Sequence, residues 1–415
     1  MAGVAHTLRS LRHPNYRLFF VGQGISVIGS WMQNLGMQWM VYRMTGSAIW
    51  LGVVAFSNAI MSFLLGPLAG VAADRFRRRR LVVFSQTLAM LQAAVLAALT
   101  LSGRIELWHM VVLSAFAGMV HAMDIPFRQS FVIELVPRAD LPNAIAMNSF
   151  LVNGGRLIGP ALAGLLVVWL DRRYAGRSEG ICFLINAVSF LAVLVALLAM
   201  RLPNVPVRVG AHNVLDRLRE GFGYTVRHKQ IRSALLLLAF IGMVGMPYQI
   251  LMSVFAKDVL HGDSRTMGWL LSACGAGAIV AAVVLASRRG GYGIAYLAAA
   301  PCLLGAGMIG FALSRTLWLS MAMLLLAGFG QMIQMAGTNT FIQSVVDDDK
   351  RGRVLSFYSM AFMGTAPFGQ LLMGFLAEHF SAPLAVALGG GGCLAAAAVF
   401  GYRILMRRAA PPAAE

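Results

Sequence analysis

The chain has 415 residues, of which 59% are hydrophobic and 12% charged, with a mean hydropathy of +0.73. Soluble domains carry about 25% charged residues, so an ordinary water-soluble enzyme or binding module is excluded. A net charge of +18 would suit a nucleic-acid partner, yet no compact basic domain exists to present it, and nucleic acid is excluded as well.

Taken in order, twelve apolar stretches are long enough to cross ~30 Å of hydrocarbon as helices. They fall near 18–41, 47–67, 81–101, 107–127, 143–169, 180–200, 233–253, 267–287, 293–313, 317–338, 354–377 and 383–405. They are continuous and rich in Leu, Ala and Met rather than alternating, which predicts helices and not strands. An even number of spans puts both termini on one side. Most of the Lys and Arg then collect on that side, which makes it the cytoplasm. Trp39, Trp50, Trp108, Trp169, Trp269 and Trp318 all fall at the opposite, outer ends of spans, and only Trp31 sits well inside one. The opening MAGVAHTLRSLRHPNYRLFF has no cleavage site after a short apolar core, so the first helix is expected to be retained. Cys182, Cys274, Cys302 and Cys393 lie in separate spans, in no spacing that makes a metal cage or a disulfide frame.

The first span carries Gln23, Asn34 and Gln38, polar candidates for a substrate cavity; Asn34 and Gln38 are one turn apart on one face. Between the second and third spans the chain reads GPLAGVAADRFRRRRLVV. Gly70, Asp74, Arg75, Arg78 and Arg79 here resemble the inner-loop motif G-x-L-A-D-R-x-G-R-[RK] of the major facilitator superfamily, with Ala72 for the usual Leu and Arg77 for the usual Gly. A carboxylate at Asp74 can accept from the exposed N-terminus of a neighbouring helix. Arg75 or Arg78 can reach an acid on another helix. Breaking such a cluster would release a gate, so the motif reads as a gating charge cluster.

Asp124 is the one acid well inside an apolar span, near the inner end of the fourth. A carboxylate there needs a partner. Arg128 lies one turn on and is read as part of the gating cluster with it. His121, three residues earlier on the same face, opens a second reading in which Asp124 and His121 carry protons. In the fifth span, Asn153 is a further cavity candidate and Arg156 lies near mid-membrane, where a guanidinium needs a wet cavity or an acid. Its five donors suit carboxylates, catecholates or phosphates. Gly155, Gly159, Pro160 and Gly164 resemble the antiporter signature g-x-x-x-G-P-x-x-G-G of drug exporters, with Ala163 in place of a Gly. Small residues there let helices approach closely.

Residues 201–232 form the longest inner segment and divide the spans six and six, giving bundles over 1–200 and 233–415. Leu215, Leu218 and Phe222 at helical spacing predict a short amphipathic helix at the membrane surface. In the second half Gln331, Gln334 and Asn339 of the tenth span are cavity candidates. Gly389 to Gly392 lie in an apolar helix without the strand, Lys and Ser/Thr of a nucleotide loop, so no cofactor and no catalytic constellation is implied. The halves also echo each other. Residues 127–164 and 337–374 align at a constant offset, matching Phe131 to Phe341, Val136 to Val346, Ser149 to Ser359, and Gly154, Gly159 and Gly164 to Gly364, Gly369 and Gly374. This points to a duplicated transporter body.

LRHPNYRLFFVGQGIS, GPLAG with ADR, MDIPFRQSFVIELV and LPNAIAMNS with GRLIGPALAGLL together resemble bacterial enterobactin-exporter-type proteins of the drug:proton antiporter-3 group. The resemblance implies an all-α membrane protein of twelve helices in two pseudo-symmetric six-helix bundles, monomeric in the inner membrane with both termini cytoplasmic. It also implies proton-driven efflux of a siderophore-like or amphiphilic small molecule by rocking of the bundles about a central site, without metal, cofactor or catalysis. The first span lacks the acid that several drug antiporters keep there. Import, lysophospholipid flipping, or a membrane sensor without turnover are the other readings.

Overall fold

A computed structural model describes residues 8–174, 176–200, 222–287, 294–347 and 350–409. Each of the twelve apolar stretches carries a helix: α1 (Pro14–Thr45), α2 (Ala48–Arg75), α3 (Arg78–Leu101), α4 (Leu107–Leu135), α5 (Leu141–Asp171), α6 (Ser178–Ala199), α7 (Lys229–Val244 and its irregular continuation), α8 (Ser264–Ser287), α9 (Ile294–Leu313), α10 (Leu317–Val345), α11 (Arg351–His379) and α12 (Ala382–Ala409). Among the described residues ten of these, all but α1 and α9, are both long and apolar enough to cross a membrane, and α9 adds a shorter apolar stretch over Leu297–Leu313.

Local chemistry sets the ends. Pro14 opens α1, where its missing N–H costs nothing and its fixed φ favours the helix. Gly46 closes it at φ 62°, a left-handed cap whose N–H returns to Tyr42. Glu106 and His109 form a reciprocal capping box at the start of α4.

Two expectations change. The seventh span is not one helix over 233–253: α7 ends at Val244, passes Gly245 and continues as a 3-10 turn (Pro247–Leu251), a helical turn (Met252–Val254) and a π-turn (Phe255–Val259). Pro247 cannot donate to the preceding turn, which breaks the regular hydrogen-bond ladder. In the linker, Leu215 and Leu218 lie outside the described residues. Residues 222–227 are helical, with Phe222 exposed and its ring 6.1 Å from that of Phe357.

The chain forms two compact units: residues 1–46, 53–211 and 261–272, and residues 47–52, 212–260 and 273–415. In the first, α1 packs on α5 and α6, and α3 on α4 and α6. Its core joins Tyr16, Phe19, Phe127, Phe131 and Val193. In the second, α7 packs on α11, and α9 on α10 and α12. Glycines mark equivalent contacts in the two. A Cβ at Gly159 of α5 would meet Ile28 O of α1 at 2.9 Å, and one at Gly369 of α11 would meet Pro247 Cγ after α7 at 2.7 Å. A Cβ at Gly164 would meet Ser264 O at 2.5 Å, and one at Gly374 would meet Ala48 O at 2.8 Å. Each α5-like helix thus receives the first turn of another helix at its third matched glycine. Gly118 of α4 lies against the carbonyl of Asn58, as Gly328 of α10 lies against that of Cys274. The repeat seen in the letters is a repeat of backbone-to-backbone approach.

Candidate functional site

In the first unit, charged and polar groups gather where α2, α3 and α4 meet. α2 ends at Arg75 and Arg77 is extended, so that α3 restarts at Arg78. Arg78 Nη1 lies 3.1 Å from Glu134 Oε1 of α4, and Arg79 Nη2 donates to the carbonyl of Leu198 at 3.1 Å. A Cβ at Gly70 would touch nothing within 4 Å. The side chains of Asp74 and Arg75 lie outside the described residues. Glu134 is the acid that reading the motif alone missed; its signal was a carboxylate in the last turn of α4, at the inner end of the span.

Asp124 sits further along α4, 8% exposed. Its Oδ2 pairs with Arg128 Nε at 2.7 Å, the one-turn pairing expected from the sequence. Its Oδ1 accepts from Gln86 Nε2 at 2.6 Å and Ser85 Oγ at 3.1 Å, both on α3. Those two donors were not foreseen, because α3 presents them from another element. His121 is exposed on α4, and no hydrogen bond joins it to Asp124 among the described residues.

On α5 the small residues do what their pattern requires. Cβ atoms at Gly155 and Gly159 would lie 2.5 Å from Val27 Cγ1 and Trp31 Cβ respectively, so both positions must be bare for α1 and α5 to meet. Pro160 and Gly164 face the start of α8: a Cβ at Gly268 would meet Pro160 O at 2.6 Å, and Ser264 Oγ donates to Gly164 O at 3.2 Å. The close approach sets Arg156 over the ring of Trp31, Cζ 5.9 Å from its centroid. A cation over indole is held by the ring quadrupole. The half-buried guanidinium thereby has an aromatic face among its contacts.

The remaining cavity candidates divide. Gln38 Nε2 donates to Asn34 Oδ1 at 2.7 Å, as their spacing predicted. Gln23 is buried, with no partner for its Oε1. Asn153 spends its amide on Ser149 O of its own helix. Gln334 donates to Thr338 Oγ1 at 3.0 Å, and Asn339 accepts from Gln343. Gln331 Oε1 accepts from Gln249 Nε2 at 2.9 Å.

Sequence reading also missed a ladder in the first unit. Asn186 donates to Gln33 at 2.8 Å, Gln33 to Gln92 at 2.9 Å and Gln92 to Leu113 O at 3.2 Å. It missed the wholly buried Glu179, paired to Arg43 at 2.9 Å. Each side-chain pair joins different helices, and only packing reveals the partner. Among the described residues no group of three or more His, Cys, Asp or Glu side chains gathers into a metal site.

Comparison with known proteins agrees with this architecture. The family model described as transmembrane secretion effector matches residues 5–412. The chain is 27% identical over 370 residues to the staphyloferrin A transporter of Staphylococcus aureus (strain NCTC 8325 / PS 47), covering 88% of this chain and 90% of that protein. It is 25% identical over 377 residues to the multidrug efflux pump Tap of Mycolicibacterium fortuitum, 86% of each. The solved structure of a bacterial homologue of the human lysosomal transporter Spinster has the same fold, with a TM-score of 0.73 at 14% identity over 96% of this chain and 98% of that one. With its duplicated helical units and its motif after α2, this chain belongs to the transmembrane secretion effector family of the major facilitator superfamily, a family of multi-pass membrane transporters.

Proposed function

We propose that this transporter exports a siderophore-like or amphiphilic drug-like small molecule from the cytoplasm, driven by protons and working by alternating access. Both termini face the cytoplasm, and a monomer in the inner membrane does the work. The observation that carries the reading is Arg156, a mid-membrane cation oriented by Trp31 on a glycine-lined helix contact. A guanidinium beside an indole offers five donors to an anionic group and a cation to a π-rich one. The relative named as a multidrug efflux pump supports the direction of transport, and the one named as a staphyloferrin A transporter supports a siderophore-like substrate. Asp124, bonded to α3 by two donors and to Arg128, is the buried acid available to carry a proton. Asp74 with the Arg78–Glu134 pair supplies the gate.

The test is an untargeted comparison of metabolites outside cells with and without the protein, repeated with a protonophore. Export of an anionic or aromatic compound should appear with the protein and vanish with the protonophore. In Arg156→Ala, export of anionic compounds should fall at least tenfold and that of neutral ones much less. Accumulation inside the cells instead, or equal loss of both classes, would overturn the reading.

A further inference from the structure

The second unit holds a polar group that neither the loop motif nor Arg156 explains. It is built on the break after α7. Tyr248 and Gln249 are adjacent in the 3-10 turn Pro247–Leu251. Tyr248 is fully buried, its hydroxyl 3.1 Å from Cys274 Sγ of α8. Gln249 is only half-buried. Its Nε2 donates to Gln331 Oε1 of α10 at 2.9 Å and to Cys274 Sγ at 3.3 Å. Three elements therefore fix one amide, and both of its hydrogens are spent on protein.

Every group left over is an oxygen. With the nitrogen of this half-buried amide committed, Gln249 keeps Oε1 as its remaining polar group, and an amide oxygen only accepts. One turn on, the hydroxyl of Ser253 is buried with no partner, and one turn beyond Gln331 the Oε1 of Gln334 is buried with none either. A buried polar group left without a partner costs about 1–3 kcal/mol, so these two oxygens, one on the interrupted segment and one on α10, are a cost that packing alone does not explain. Irregular backbone at membrane depth is tolerated where it is buried in protein or lines a water-filled cavity. Interrupted helices are where transporters of this general build place such spaces. None of the groups named is charged, which distinguishes this patch from the cationic one on α5.

We infer that Gln249, held by Cys274 and Gln331, forms a neutral acceptor subsite that takes an N–H or O–H donor group of the transported molecule. Gln249 is the contact; Tyr248, Cys274 and Gln331 are positioning residues. The inference rests on the efflux reading above and adds the chemistry of one end of the substrate.

The test uses two dyes with one skeleton. Rhodamine 123 carries N–H donors, and tetramethylrhodamine methyl ester has each of them replaced by methyl. Dissociation constants for both are measured by fluorescence anisotropy on the purified full-length protein. The wild type should bind rhodamine 123 about tenfold more tightly, the worth of roughly one hydrogen bond. Gln249→Met, which keeps the volume and removes the acceptor, should abolish that ratio and leave the affinity for the methylated dye unchanged. Gln331→Met should shrink the ratio by loosening the amide, while Cys274→Ser should preserve it. No preference in the wild type, or an unchanged ratio in Gln249→Met, would overturn the inference and leave the efflux reading standing. Failure of the wild type to bind either dye would overturn the amphiphile-export reading and the inference together.

Discussion

His13 Nε2 lies 2.8 Å from Asp140 Oδ2, joining the segment before α1 to the turn before α5. Arg9 Nε holds the other oxygen at 3.0 Å, Ser10 bonds Asn143, and Tyr16 donates to Ala144 O at 2.9 Å. The hydrogen bond from His13, and then the charges of Arg9 and Arg12, hold the Asp140 carboxyl below its usual range. A depressed carboxyl pKa stabilises the folded form above the unfolded value, about 4, and the benefit is lost as pH falls through the folded one. Protection of the amides of residues 8–17 against hydrogen exchange, relative to free amides at the same pH, should therefore be high at neutral pH and fall below about pH 4. Asp140→Asn should be poorly protected at neutral pH, and its protection should respond little to acid. Equal protection in variant and wild type at neutral pH would show that the latch carries nothing.

Asp124 and Arg128 make a different prediction because they are enclosed. Removing one partner of a buried pair costs about 3–5 kcal/mol, while replacing both with neutral groups costs far less. Asp124→Asn should lower the thermal midpoint of the purified protein well below that of the double variant Asp124→Asn/Arg128→Gln. The double variant then isolates the chemistry. If Asp124 carries the coupled proton, this stable protein should still bind ligand but lose the response of transport to a protonophore. Retained coupling would assign the acid to structure alone.

For Arg78 and Glu134 the energetic expectation reverses. The side chains are 37% and 23% exposed, and an exposed pair contributes roughly 0–1 kcal/mol. Glu134→Gln should barely move the melting temperature. If the pair belongs to a gate, it should nevertheless change transport rate several-fold, and the swap Arg78→Glu with Glu134→Arg should recover part of it. Rates unchanged at equal expression would remove the pair from the gate.

These three sites show what the letters could and could not reveal. The number of spans was legible because lipid imposes a length and a composition on each of them. The Asp124–Arg128 pairing was legible because both ends sit on one helix, one turn apart. Glu134, Glu179, Asp140 and the Gln33–Gln92–Asn186 ladder were not, since each bond joins elements distant in sequence and no local spacing encodes it. The break after α7 was hidden for another reason. An apolar run containing Pro247 is compatible with a kinked helix, a 3-10 turn or a π-turn, and packing against α11 selects among them.

The matched glycines offer the sharpest test of the duplicated architecture. At Gly159 a methyl would lie 2.5 Å from Trp31 Cβ and 2.9 Å from the carbonyl of Ile28; at Gly369 it would lie 2.7 Å from Pro247 Cγ and against the carbonyl of Met243. A backbone carbonyl cannot swing aside as a long side chain can, so α1 must move off α5, and α7 off α11. Overpacking of this kind costs about 1–3 kcal/mol. Gly159→Ala and Gly369→Ala should each lower the thermal midpoint, while Gly154→Ala, where nothing lies within 4 Å, should not. The two destabilising changes should part company in function. Displacing α1 carries Trp31 away from Arg156, so Gly159→Ala should weaken binding of anionic aromatic ligands more than Gly369→Ala does at matched stability. Equal weakening would mean that the ring over the guanidinium contributes nothing beyond packing.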